Sequence, residues 1–135
     1  MEVTREVELD MTADEAWALV GTAEGWRQWL VDSGDMPVET GAEGELVDDG
    51  VARLVRVHSV EPGRAIVLHW HERDRLDELS SVTIEVVGLP DGRQRLRITE
   101  QWPTAVCADC PLRAGARWDL RACLLCLAAR PTCRV

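Results

Sequence analysis

The chain has 135 residues, a formal net charge of -9 and 46% hydrophobic residues. That length suits one domain with a real core, so residues 1–135 are read as a single unit, and the apolar content excludes a disordered chain. The acidic balance argues against nonspecific nucleic-acid binding and against an anionic membrane surface. With no charged-then-apolar leader and no apolar run near the length of a membrane span, the expectation is a soluble cytoplasmic protein. Phe and Tyr are absent, so six tryptophans supply every aromatic contact.

Residues 2–10 alternate, with Val3, Arg5, Val7 and Leu9 on one face and acidic residues and Thr4 on the other. This is the pattern of a half-buried antiparallel strand, with Arg5 placed oddly on the apolar side. Thr12 to Glu15 has the form of a capping box, and it opens a short helix through Ala16, Trp17, Leu19 and Val20 that Gly21 ends. A second short helix runs from Glu24 to Leu30, with Trp26, Trp29 and Leu30 inward. Residues 32–50 are rich in acid and glycine; they predict a loop, a strand around 43–48 and a tight turn at Asp49-Gly50.

Strands follow at 51–60, 64–72, 80–88 and 93–102, separated by Glu61-Pro62-Gly63, a charged loop at 73–78, and Pro90-Asp91-Gly92. Ile66, Leu68 and Trp70 share a face; so do Val82, Ile84 and Val86, and Leu96, Ile98 and Trp102 together with Glu100. Finally, Pro111 to Arg130 carries the longest helical pattern, bounded by Pro111 and Pro131. A lone apolar helix after a run of strands is expected to lie across the sheet and close a core or cavity.

The order strand, helix, helix, five strands, helix resembles the helix-grip fold of the START/Bet v 1-like (SRPBCC) superfamily. Within it, the chain looks most like proteins similar to the C-terminal domain of the activator of Hsp90 ATPase. The residues that carry the resemblance are Trp17, Trp29 and Leu30 in the opening helices and the strand AIVLHW ending at Trp70. The hairpin SSVTIEVV with RQRLRITEQW, and the last helix with Gly115 and Trp118, complete it. The resemblance implies an α+β fold: a curved antiparallel sheet of about six strands around a long C-terminal helix, with two short helices after the first strand. It also implies one of two roles, binding of hydrophobic ligands between sheet and helix or a co-chaperone partnership. The cysteine-rich tail departs from the family pattern.

The leading expectation is therefore noncatalytic binding of a hydrophobic small molecule. Its lining would be Arg5, Val7, Leu9, Leu68, Trp70, Val82, Ile84, Leu96, Ile98, Glu100, Trp102, Leu120 and Leu124, with Arg5, Glu100 and, less directly, Glu72 as orienting polar groups. The bland alternative is that Arg5 and Glu100 reach water at strand ends or pair with each other, and that the tryptophans fill the space. A protein partner or a homodimer is the second expectation, drawn from the acidic 32–49 stretch and the flank Arg113, Arg117, Arg121.

Five cysteines, Cys107, Cys110, Cys123, Cys126 and Cys133, lie in the last third. The two C-x2-C pairs have zinc-knuckle spacing, and Zn(II) or another thiophilic ion is one reading. If the helix starts near Leu112, Cys123 lies about 16 Å along it at ~1.5 Å per residue, so the loop must fold back for all four thiolates to meet. Small core thiols, loop thiols and a redox pair are the other readings, and no cofactor is required by the sequence. His69 and His71, at i and i+2 and with His58 expected nearby, can chelate a metal or simply stand on a solvent face. No Ser/His/Asp order and no phosphate loop assembles, so no catalytic residue is assigned.

Overall fold

The computed structural model describes residues 2–48, 50–73 and 79–101. Within them lie β1 (Glu2–Leu9), α1 (Ala13–Val20), α2 (Ala23–Trp29), β2 (Glu43–Asp48), β3 (Val51–Glu61), β4 (Ala65–Glu72), β5 (Ser80–Gly88) and β6 (Gln94–Gln101). The expected helix at 112–130 lies outside the described residues, as do Trp102 and all five cysteines. Among the described residues no helix is long and apolar enough to cross a membrane.

The six strands form one curved antiparallel sheet in the order β1-β6-β5-β4-β3-β2. Hairpins join β2 through β6, and β1 pairs with β6 from Glu2↔Gln101 to Leu9↔Gln94. The period-two patterns set the faces. Leu9, Leu46, Val55, Val57, Ile66, Leu68, Trp70, Val82, Ile84, Leu96 and Ile98 all turn inward and are buried. The outer faces of β1, β5 and β6 are laced by ion pairs, among them Arg95–Glu8 at 3.2 Å and Arg97–Glu6 at 3.4 Å.

The helical corner is fixed by local chemistry. Thr12 caps α1: its Oγ1 accepts from the Glu15 N–H, and Glu15 Oε1 accepts from the Thr12 N–H at 3.0 Å. The last carbonyls of α1 have no partner within the helix. They are taken by the indoles of α2: Trp26 Nε1 donates to Val20 O at 2.6 Å and Trp29 Nε1 to Leu19 O at 2.8 Å. Gly25 permits this approach, because a Cβ there would stand 2.6 Å from Leu19 Cα.

Candidate functional site

Beyond setting the core, the inward alternation delivers polar groups to one end of the concave face. Asp48 ends β2, Arg53 lies near the start of β3, Ser80 opens β5 and Glu100 lies near the end of β6; all four are buried. Antiparallel pairing places strand starts beside strand ends, so these residues lie toward the same end of the sheet although 52 positions separate Asp48 from Glu100.

Trp70 on β4 connects them. It stands directly opposite Ser80 on β5. Serine is small enough for the indole to reach across it toward β6, where Trp70 Nε1 donates to Glu100 Oε2 at 3.0 Å. Ser80 Oγ donates to the same oxygen at 2.9 Å. On the other side, the Arg53 guanidinium lies over the Trp70 ring, 5.0 Å from its centroid. Arg53, Trp70, Ser80 and Glu100 thus form a continuous polar belt across four adjacent strands. Two donors on one carboxyl oxygen offset part of the cost of burying that group. Between this belt and Gln94 at the far end of β6, the concave face of β4, β5 and β6 is apolar, with Leu68, Ile84, Ile98 and Leu96 in it.

The expected site residues can be placed individually. Leu9, Leu68, Trp70, Val82, Ile84, Leu96, Ile98 and Glu100 share the concave face and are buried, while Val7 is partly buried against the same core. Arg5 is half-buried opposite Ile98, and its Nη1 donates to Thr4 O at 2.9 Å. The reading of Glu100 as a strand-end group reaching water is corrected: it is 4% exposed and held by Trp70 and Ser80. Glu72 sits at the rim, 4.0 Å from Arg53. Trp102, Leu120, Leu124 and the cysteine set Cys107, Cys110, Cys123, Cys126 and Cys133 lie outside the described residues.

Sequence reading missed Arg53, Asp48 and Ser80. The signal was present: Arg53 alternates with Val55 and Val57, and Ser80 with Val82 and Ile84, so each continues an apolar face.

The outer face carries a second feature. A groove of about 500 Å³ is lined by Glu43, Gly44, Leu54, Val55, Arg56, His69, His71 and Leu79. His69 stacks on His58 with ring centroids 4.6 Å apart. Burial foremost, then the charges of His58 and Arg56, hold the His69 pKa below its ordinary value. His71 Nδ1 lies 2.8 Å from Glu72 O. Among the described residues no three His, Cys, Asp or Glu side chains gather as a metal site. All three histidines are on the outer face, so the concave belt contains no imidazole.

The fold is START/Bet v 1-like. A Mesorhizobium loti protein of known crystal structure superimposes with a TM-score of 0.80 at 20% identity, over 93% of each chain. The Aha1 dimer from Colwellia psychrerythraea gives 0.72 at 10% identity, over 90% of each chain. An HSP90 activator from Plasmodium falciparum gives 0.72 at 17% identity, over 89% of each. At these identities the likeness establishes the fold. No family model and no curated protein matches the sequence.

Proposed function

We propose that this protein binds a hydrophobic small molecule against the concave face of its sheet and performs no chemistry on it. One observation carries the reading: Glu100 is buried and hydrogen-bonded in a polar belt at one end of a face whose middle, from Leu68 and Ile84 to Ile98 and Leu96, is apolar. A core needs no such group, since well-packed apolar residues in place of buried charges are often neutral or stabilising. Ligand sites are built this way, with apolar walls and a few placed polar groups. Leu120 and Leu124 of the expected C-terminal helix would supply the opposite wall.

The test is native mass spectrometry of freshly purified protein, followed by thermal-shift screening with long-chain, terpenoid and fused-ring probes. The expected result is a one-to-one adduct and a Tm several degrees higher at saturating ligand. Protein that carries nothing, and whose Tm moves with no probe, contradicts the proposal.

The outer groove favours a second reading, a protein-interaction role of the co-chaperone kind. Leu54 and Leu79, 36% and 45% exposed, are two of the three exposed large hydrophobics among the described residues. Both line the groove, and two structural neighbours are an Aha1 dimer and an HSP90 activator. In this reading a pull-down enriches a chaperone, and the double substitution L54D/L79D abolishes it. Equal recovery by the variant, or no chaperone enriched, overturns it.

A further inference from the structure

We infer that the outer groove docks an extended segment of a partner protein in which an apolar residue is followed two positions on by a carboxylate, and that docking tightens as pH falls. This deepens the protein-interaction reading above and rests on it. Three observations lead to it.

The first is the layout of the groove floor. Strand register fixes two neighbouring rows on the outer face. In one, Leu54 stands opposite His71, and Leu79 directly precedes Ser80, the residue that pairs with Trp70. His71 is thus set between the two exposed leucines. In the next row, Arg56 stands opposite Glu43 on one side and His69 on the other. The rows are two residues apart along the strands, about 7 Å at ~3.4 Å per residue. An extended chain places its own i and i+2 side chains on one face at that same spacing. A segment lying along β3 and β4 therefore seats one side chain on the leucines and the next but one on Arg56 and His69.

The second is charge. The chain carries -9, yet Arg56 and all three histidines gather here, His58 by its stack on His69. The acidic groups facing them among the described residues come from β2. Glu43 lies 4.0 Å from Arg56, with side chains 73% and 63% exposed, and Glu45 is paired with Arg73. From β5, uncharged Ser81 stands opposite His69. An ion pair as exposed as Arg56–Glu43 holds weakly, so Arg56 can turn to a carboxylate delivered by a partner.

The third is the proton. Burial foremost, then His58 and Arg56, hold the His69 pKa below its ordinary value. A carboxylate seated beside these cations favours the charged imidazole. Imidazoles change charge between about pH 5 and 8, whereas a peptide glutamate stays ionised down to about 4.3. Docking of an acidic segment therefore takes up protons, and by linkage its affinity rises as the pH falls.

Two acetylated, amidated peptides differ only in charge: Thr-Leu-Thr-Glu-Thr-Glu and Thr-Leu-Thr-Gln-Thr-Gln. Each is titrated into the full chain at pH 7.5 and pH 5.5, following the Leu54, His71 and Leu79 amides by 1H–15N NMR. The expected result is that the Glu peptide binds about tenfold tighter at the lower pH, the effect of one hydrogen bond to a charged donor. The Gln peptide changes by less than about twofold. In the double variant His69→Gln/His71→Gln the rise for the Glu peptide falls to within about twofold, with far-UV circular dichroism verifying the fold. If that variant does not fold, the comparison of the two peptides on the unsubstituted protein decides alone. A Gln peptide that binds as tightly as the Glu peptide at pH 5.5 overturns the inference, and so does a folded double variant that keeps the rise. Both outcomes leave the protein-interaction reading intact, since a peptide still docks in the groove. Groove amides that move with neither peptide also overturn the inference, while the chaperone pull-down with L54D/L79D decides that reading separately.

Discussion

Trp70 is where packing and polarity meet. Its ring fills the core at 1% exposure, and its N–H serves Glu100 two strands away. Trp70→Phe keeps most of the ring and removes the donor, so it should cost about 1–3 kcal/mol in urea unfolding, with Ser80→Ala in the same range. Because both donors serve one oxygen, the double variant should depart from additivity. A neutral Trp70→Phe would show that the bond to Glu100 contributes nothing. On the outer face, the lowered His69 pKa fixes a sign. Between that value and the ordinary 6.5 the unfolded chain binds more protons than the folded one, so stability falls as pH drops through this window and is untouched by His69 above it. The Tm should therefore fall from pH 7 to pH 5, and less in His69→Gln; an identical fall would contradict the cause given. At this scale the apolar wall was readable, because Leu68, Trp70, Ile84 and Ile98 repeat at period two. Arg53 was equally readable from its alternation with Val55 and Val57. The bond from Trp70 to Glu100 was not, since it depends on which strands become neighbours.

Among the elements, α1 and α2 form the tightest joint. Their signals are local: the Thr12–Glu15 box, the stop at Gly21, and the Trp26 and Trp29 spacing can be read within a few residues, and the helices follow them closely. What the sequence does not announce is that these indoles cap α1 through Val20 O and Leu19 O. Gly25 is the element's weak point. A methyl there meets the backbone of Ala18 and Leu19, so Gly25→Ala should cost about 1–3 kcal/mol despite the better helix propensity of alanine. An unchanged or raised Tm would show that the two helices can separate without loss. Strand bounds also follow the turns, with Gly50 at φ 76° and Gly92 at φ 89° where the Asp-Gly pairs predict them. The register shift between Val57 and Ser59 on β3 has no such local marker.

For the whole molecule, strand order is the step that sequence patterns leave open. Alternation says that β1 has a buried face; it does not say that β1 lies beside β6, the last strand, and not beside β2. The structure supplies that pairing: β1 lies beside β6. The consequence is functional, because only this order puts Arg53, Trp70, Ser80 and Glu100 in a row at one end. The central claim is that this concave face, and not the outer groove, receives the ligand. The most direct test is a 1H–15N NMR titration of the full chain with 2-ethylnaphthalene, following the Trp70 indole N–H. The account predicts saturable shifts of that signal and of the Ser80, Val82 and Ile98 amides, with His71 and Leu79 unmoved. Shifts confined to Leu54, His71 and Leu79, or none at all, would contradict it.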